Sequence, residues 1–220
     1  MKRITITFCA AVLLFACNSE EKTADNKAED TKVASSTSDS KAKTEEWVPV
    51  DSATAMKSMM EAGTPGPMHA MLAKSDGAWV GETTMWMKPG APPTKGTGTS
   101  TNKMIFGNRY QQSTFKGDFM GMPFEGTGTT GYDNAKKVFF TTWMDNMSTG
   151  MMNMEGAWDD ATKSINFKGK MLCPANGKEM EMREVYKIVD DNTQIMEMYG
   201  PDMQTGKEFK HMEIKLTRKK

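Results

Sequence analysis

Ile165-Asn166-Phe167-Lys168-Gly169-Lys170-Met171 alternates apolar and polar side chains almost without a break. Successive side chains of a strand point to opposite faces, so this stretch presents Ile165, Phe167 and Met171 to one side and Asn166, Lys168 and Lys170 to the other. Met212-Glu213-Ile214-Lys215-Leu216 repeats the pattern, and after Gly77 the residues Trp79, Thr83, Met85 and Met87 share one face of another strand. Turn signals separate such stretches at Pro89 to Gly96, Gly107-Asn108, Gly117-Asp118, Asp133 to Ala135, Asn146 to Gly150, Asp159 to Thr162, Pro174 to Gly177, Asp190 to Asn192 and Pro201 to Gly206. That spacing bounds about ten strands, and short connections make neighbours antiparallel. A sheet of so many strands loses its exposed edges by closing on itself. The sequence therefore predicts an all-β protein, an antiparallel up-and-down β-barrel, with a sandwich as the second choice. Gly96 and Gly98 share one strand face, as do Gly126 and Gly128, which marks a bend, a bulge or the close approach of another group.

Upstream of the strands the period changes. Ala55, Met56, Met59 and Met60 fall at helical spacing and predict a short helix over Ser52 to Ala62, with Gly63 as its stop. Pro67 suits a first helical turn, and Met68, Met71 and Leu72 form a stripe, predicting a second helix over Pro67 to Ser75. Residues 18–46 are mostly Ser, Thr, Ala, Lys, Asp and Glu without one aromatic. Such a segment buries too little apolar surface to offset its ordering entropy and reads as a disordered tether reaching about 30 Å on average. Ahead of it, Lys2 and Arg3 precede the short apolar run Ile4 to Phe15, the pattern of a secretory signal and too short for a membrane-spanning helix. Leu14-Phe15-Ala16-Cys17 resembles the lipobox of bacterial lipoproteins, whose cysteine sulfur takes a diacylglyceryl group and becomes the first residue after cleavage. The other reading is ordinary cleavage near a chance cysteine. Asn18-Ser19-Glu20-Glu21 is similar to lipoprotein surface-export signals of some Gram-negative lineages. The resemblance implies a signal peptide over residues 1–16, a lipidated Cys17 and tether over 17–46, and a barrel domain over 47–220. It also implies a membrane as partner through the lipid on Cys17. The place would be the bacterial cell envelope, at the outer membrane on its periplasmic or surface face.

Composition narrows the functional classes. Lys plus Arg and Asp plus Glu are 28 each, a balance unsuited to neutralising nucleic-acid phosphates, so no nucleic-acid partner is expected. With two histidines and three cysteines there is no Cys/His metal cluster. Cys9 falls in the signal and Cys17 at the lipobox, which leaves Cys173 beside Pro174 without a disulfide partner. Gly126-Thr127-Gly128-Thr129-Thr130-Gly131 matches the dinucleotide-binding glycine pattern by letter only, since Tyr132-Asp133 and another turn follow where a helix should open. No Ser/His/Asp order, HExxH, phosphate-binding loop or paired-carboxylate motif is present, so no catalytic residue is named. Asp133 and Asp145 lie where carboxylates cap turns.

Methionine is the unusual component, with 23 residues, all but Met1 from Met56 onward. Met85/Met87, Met120/Met122, Met152/Met154, Met180/Met182 and Met196/Met198 are spaced by two, which on a strand puts both thioethers on one face. Methionine is a pliable apolar filler of interiors and suits an adaptable pocket for a small, largely apolar ligand. Thioethers are also soft ligands that select Cu(I). Trp79, Trp86, Arg109, Tyr132, Trp143 and Asp145 are candidate pocket-wall or mouth residues, and barrel packing explains them equally. His69 beside the second helical stripe and His211 are weak candidates, with Met180 and Met182, for holding haem or a metal. His211 is expected on the face of Phe209, Glu213 and Lys215, half exposed. Three readings follow: an anchored barrel binding an apolar ligand; a soft-metal or haem binder; and an enzyme or a barrel that contacts other envelope proteins.

The stretch from His69 to Arg218 resembles an uncharacterised bacterial family, domain-of-unknown-function family 1579. The likeness runs through His69-Ala70-Met71-Leu72, Gly77-Ala78-Trp79, Gly107-Asn108-Arg109-Tyr110, Pro123-Phe124-Glu125-Gly126 and Gly131-Tyr132-Asp133. Its most specific pieces are Trp143-Met144-Asp145-Asn146-Met147-Ser148-Thr149-Gly150 and Glu155-Gly156, and it closes around Thr217-Arg218-Lys219. Asn108 and Leu216 depart from it, standing where a glycine and an aromatic are expected. The resemblance implies a lipocalin-like or nitrobindin-like barrel outline, and neither an established activity nor a catalytic residue.

Overall fold

The computed structural model describes residues 46–220. The signal peptide, Cys17 and all of the tether but Glu46 lie outside the described residues. Two helices, α1 (Ser52–Ala62) and α2 (Pro67–Ala73), precede ten strands. These are β1 (Gly77–Met85), β2 (Thr94–Ile105), β3 (Tyr110–Phe119), β4 (Met122–Asp133), β5 (Val138–Asp145), β6 (Met152–Asp159), β7 (Ser164–Leu172), β8 (Glu179–Asp190), β9 (Thr193–Pro201) and β10 (Glu208–Arg218). Each strand pairs antiparallel with the next, and β1 closes on β10 from Trp79 opposite Arg218 to Met85 opposite Met212. The result is a closed meander barrel and not a sandwich. Among the described residues no helix is long and apolar enough to cross a membrane.

Local chemistry explains the elements and two departures from the sequence reading. Asp51 caps α1 through its Oδ1, which accepts from the backbone N–H groups of Ala53 and Thr54 at 3.0 Å each. The Met56, Met59 and Met60 stripe of α1 nevertheless stays exposed, because only the C-terminal end of the helix is tied to the barrel. There the Asn134 amide donates to the carbonyls of Ala62 and Thr64. The turn expected at Gly117-Asp118 lies inside β3. The chain turns instead at Met120-Gly121, both at positive φ, as a two-residue hairpin requires. Gly117 answers a different need: a Cβ there would stand 2.8 Å from the Thr97 carbonyl oxygen and 2.9 Å from the Phe115 ring. Met87 falls beyond the end of β1 and is exposed.

The core fills one end of the barrel. Leu72 of α2 packs with Phe139, Met154, Ile165 and Phe167, and Trp79 packs with Ile214, Leu216 and Phe115. Trp79, Phe139, Ile165 and Phe167 are at most 2% exposed. Each such side chain contributes about 1.5–3 kcal/mol by leaving water. The β2–β3, β4–β5, β6–β7 and β8–β9 turns share this end with α2. The other five connections form the opposite end, which is the mouth.

Candidate functional site

α2 is a floor, and the barrel holds it by its carbonyls. The last turn of a helix leaves C=O groups without intrahelical partners. Here barrel side chains supply the donors. Gln111 Nε2 donates to the Leu72 carbonyl at 2.7 Å, Trp79 Nε1 to the Ser75 carbonyl at 2.9 Å, and Asn102 Nδ2 to the same carbonyl at 3.3 Å. Arg218 donates through Nη2 to Lys74 at 2.7 Å and through Nη1 to Asp76 at 2.6 Å, its guanidinium lying 4.2 Å from the Trp79 ring centroid. His69 completes the floor. Its Nδ1 accepts from the Gly66 N–H at 3.0 Å, its ring meets Tyr132 edge-on at 6.0 Å, and burial holds it below the ordinary histidine pKa.

Above the floor a cavity of about 650 Å³ runs to the mouth. Its wall is mainly thioether and aromatic: Met85, Phe115, Phe124, Trp143, Met152, Met154, Phe167, Met180, Met182, Met196, Met198 and Met212 all line it. Missing side chains on β4 shape it. A Cβ on Gly126 or Gly128 would collide with the Trp143 indole, so the glycine pair lets that ring lie flat against the strand. Gly98 makes the same room for Phe115. Every connection at the mouth, or the strand end entering it, carries an exposed apolar side chain: Met87, Met120, Met147 and Met151, Leu172, and Met203.

The structure divides the sequence candidates between the two ends. Trp86, Trp143 and Asp145 line the cavity at its mouth. Trp143 Nε1 donates to Asp145 Oδ2 at 3.0 Å, and the Met147 N–H donates to Asp145 Oδ1 at 3.0 Å, so Asp145 also caps the β5–β6 connection. Trp86 lies beneath the Lys210 ammonium, 5.5 Å from its centroid. Trp79 and Tyr132 belong to the floor and do not line the cavity; Tyr132 packs on Phe139 at 4.8 Å. Arg109 sits in the exposed β2–β3 turn and donates to the Phe106 carbonyl at 3.1 Å. Trp79 and Tyr132 are corrected from pocket to floor packing, because alternation reports which face a residue takes and not at which end of the barrel it lies; Arg109 is corrected to an exposed turn residue at the floor end. Asp133 caps its turn as expected, accepting from Ala135 and Lys136. Cys173 is buried in the β7–β8 connection.

His211 needs a larger correction. A bulge between Lys210 and Met212 adds a residue to β10 and inverts the alternation there. His211 and Met212 therefore both line the cavity, while Glu213 faces outward to Lys210. His211 Nε2 is buried without a hydrogen-bond partner among the described residues, and burial lowers the pKa of the ring. Gly200 separates it from Met182: a Cβ there would stand 2.9 Å from Met182 Sδ and 3.4 Å from His211 Nε2. The lining methionines are spread over β1, β6, β7, β8, β9, β10 and the mouth connections, and among the described residues no three His, Cys, Asp or Glu side chains converge.

Glu184 and Tyr186 are among the lining groups missed in the sequence. They continue the inward face of β8 begun by Met180 and Met182, so counting two further residues finds them. Tyr186 donates to Gln194 Oε1, and burial raises the phenol pKa. Glu184 has no hydrogen-bond or ion-pair partner among the described residues, and burial pushes its carboxyl up to about 7.

The family of proteins of unknown function DUF1579 matches residues 64–218, and the chain belongs to it. No curated protein matches. Among solved structures, Rv2717c from M. tuberculosis is similar, with 13% identity and a TM-score of 0.52 over 71% of this chain and all of that one. The S-type phycobiliprotein lyase CPES from Guillardia theta aligns at 6% identity and a TM-score of 0.49, over 74% of this chain and 97% of that one. The first of these likenesses supports the barrel fold.

Proposed function

We propose that this DUF1579 chain is a lipid-anchored protein of the bacterial envelope that holds a small, largely apolar ligand inside its barrel, in the manner of a lipocalin-like carrier. The observation that carries the reading is the 650 Å³ cavity, closed by α2, walled by thioethers and aromatic rings, and opening between loops with exposed methionines. Pockets of roughly 300–1,000 Å³ with apolar walls and a few polar groups suit small organic ligands. Exposed apolar side chains around a mouth suit passage of such a ligand from a lipid or protein surface. Cys17, ahead of a polar tether, would place the barrel within reach of a membrane.

The test is saturation with an uncharged apolar fluorophore, N-phenylnaphthylamine, by wild type and by Ser113→Trp. Ser113 lines the cavity, so an indole there takes up space inside it, with folding verified by the melting curve. The reading expects one saturable site weakened more than about tenfold by the substitution. Equal binding by both proteins would place the fluorophore elsewhere and contradict it.

A second reading is favoured by one observation, the unpartnered Nε2 of His211 on the cavity wall. An imidazole nitrogen in that state is a ligand for haem iron or a soft metal, with Met182 beside it as a thioether donor. A Soret band that develops on titration with hemin and is lost in His211→Ala would support this reading. The same spectrum in both proteins would reject it.

A further inference from the structure

The lining of the cavity is one-sided in charge. Asp118, Asp145 and Glu184 line it, and no lysine or arginine does. The cations on the neighbouring strands do not line it: Lys168, Lys187 and Lys215 are exposed, and two others are held in pairs outside the lumen. Arg183 is held by Glu208 at 2.7 Å and stacked on Tyr199, and Lys210 by Glu197 and Glu213. Two of the three lining carboxylates are already used: Asp118 accepts from the Gly121 N–H, and Asp145 from Trp143 and Met147.

Glu184 differs from both. It stands five residues in from the mouth end of β8, about 16 Å along the strand. Its cross-strand neighbours are Phe167 on β7 and Met198 on β9, with Met182 and Tyr186 before and after it on the same face. The nearest other titratable groups facing the lumen are Tyr186 on the same strand, whose hydroxyl is spent on Gln194, and His211 on β10, one strand beyond β9. Glu184 is half-buried, and a carboxyl that faces a largely apolar lumen without a donor from the described residues favours a ligand that supplies one.

We infer that the ligand of this cavity carries a cationic head, an amine at the end of an apolar body, which Glu184 receives inside the barrel while the apolar part lies along the methionines. The inference rests on the apolar-ligand reading above and adds the charge of the ligand to it. The half-buried carboxyl has already lost part of its hydration in the folded chain before anything binds, so pairing with an ammonium group costs less desolvation than it would at the surface. An anionic amphiphile meets three carboxylates and no cation in a low-dielectric lumen, where like charges repel strongly.

Competition against bound N-phenylnaphthylamine at about pH 8 tests this, using decylamine, decanol and decanoate, which share one apolar chain. Decylamine is expected to displace the fluorophore at a concentration more than about tenfold below decanol, with decanoate weakest. Glu184→Gln, matched in shape, should bring amine and alcohol within about twofold of each other. Glu184→Lys, with folding verified by its melting curve, should favour decanoate over the amine. Decanoate displacing as well as decylamine from wild type, or an amine preference that survives in Glu184→Gln, overturns the inference while leaving the cavity reading intact. Failure of the fluorophore itself to bind overturns the cavity reading and this inference with it.

Discussion

Replacing Glu184 with glutamine should change how stability depends on pH, with a sign the structure determines. In the unfolded chain the carboxyl releases its proton near 4.5, and in the barrel only at about 7, because burial disfavours the charged form. Between those values the folded state holds more protons than the unfolded one. Stability contributed at this site therefore falls as pH rises through that window and stays low above it. The full difference corresponds to about 3 kcal/mol, and water reaching a half-buried group through the mouth lowers it toward about 1–2 kcal/mol. Glutamine keeps the shape and carries no proton equilibrium. For a domain of this size, each kcal/mol moves the melting temperature by about 2–4 °C. The melting temperature of Glu184→Gln minus that of wild type should become more positive by roughly 2–8 °C between about pH 4.5 and about pH 8. Scanning calorimetry at four pH values across that range measures it. A difference that stays constant within about 1 °C would refute a desolvated carboxyl in the lumen.

Arg218→Ala removes donors to the carbonyls of Lys74 and Asp76 and the stack on Trp79, and should cost about 3 kcal/mol by denaturant unfolding. Arg218→Lys should recover only part of that, since a point charge cannot reproduce the fork; full recovery would contradict the floor as described. Cys17→Ser should release the protein from membranes, and a variant that still sediments with them after a high-salt wash would remove the anchor from the proposal. Met180→Leu with Met182→Leu keeps volume and apolarity, should cost less than about 1.5 kcal/mol, and should leave Cu(I) titrations without a tight stoichiometric site in either protein. Tight one-to-one copper binding that vanishes in the double variant would move the metal reading ahead of the apolar one.

The barrel was legible because alternation and turn chemistry are local. Ile165 and Phe167 face inward for the same reason that Asn166 and Lys168 do not, and the period-two methionines of β6, β8 and β9 line the lumen as their spacing implies. His211 was not legible: Phe209-Lys210-His211-Met212 contains no glycine or proline to announce a bulge, and one extra residue reverses every facing beyond it. Trp79, Tyr132 and Arg109 were misplaced for another reason. Their roles depend on which end of the barrel α2 closes, a tertiary fact without periodicity. The segments that carry the family likeness sort by end in the same way. His69 to Leu72, Trp79 and Arg218 build the floor, while Trp143 to Gly150 forms part of the mouth, with Asn146 pinning that loop to Pro123 and Glu125.

The central claim is that ligand occupies the lumen, and the methionines themselves report it. With methyl-labelled methionine, the ε-methyl resonances of Met154, Met182, Met198 and Met212 sample the cavity, while those of Met56, Met59 and Met60 sample the exposed face of α1. Titration with decylamine, followed by methyl correlation spectra, should shift the first group in a saturable manner and leave the second in place. Shifts confined to α1 and the mouth loops, with the lumen methyls unmoved, would contradict the account.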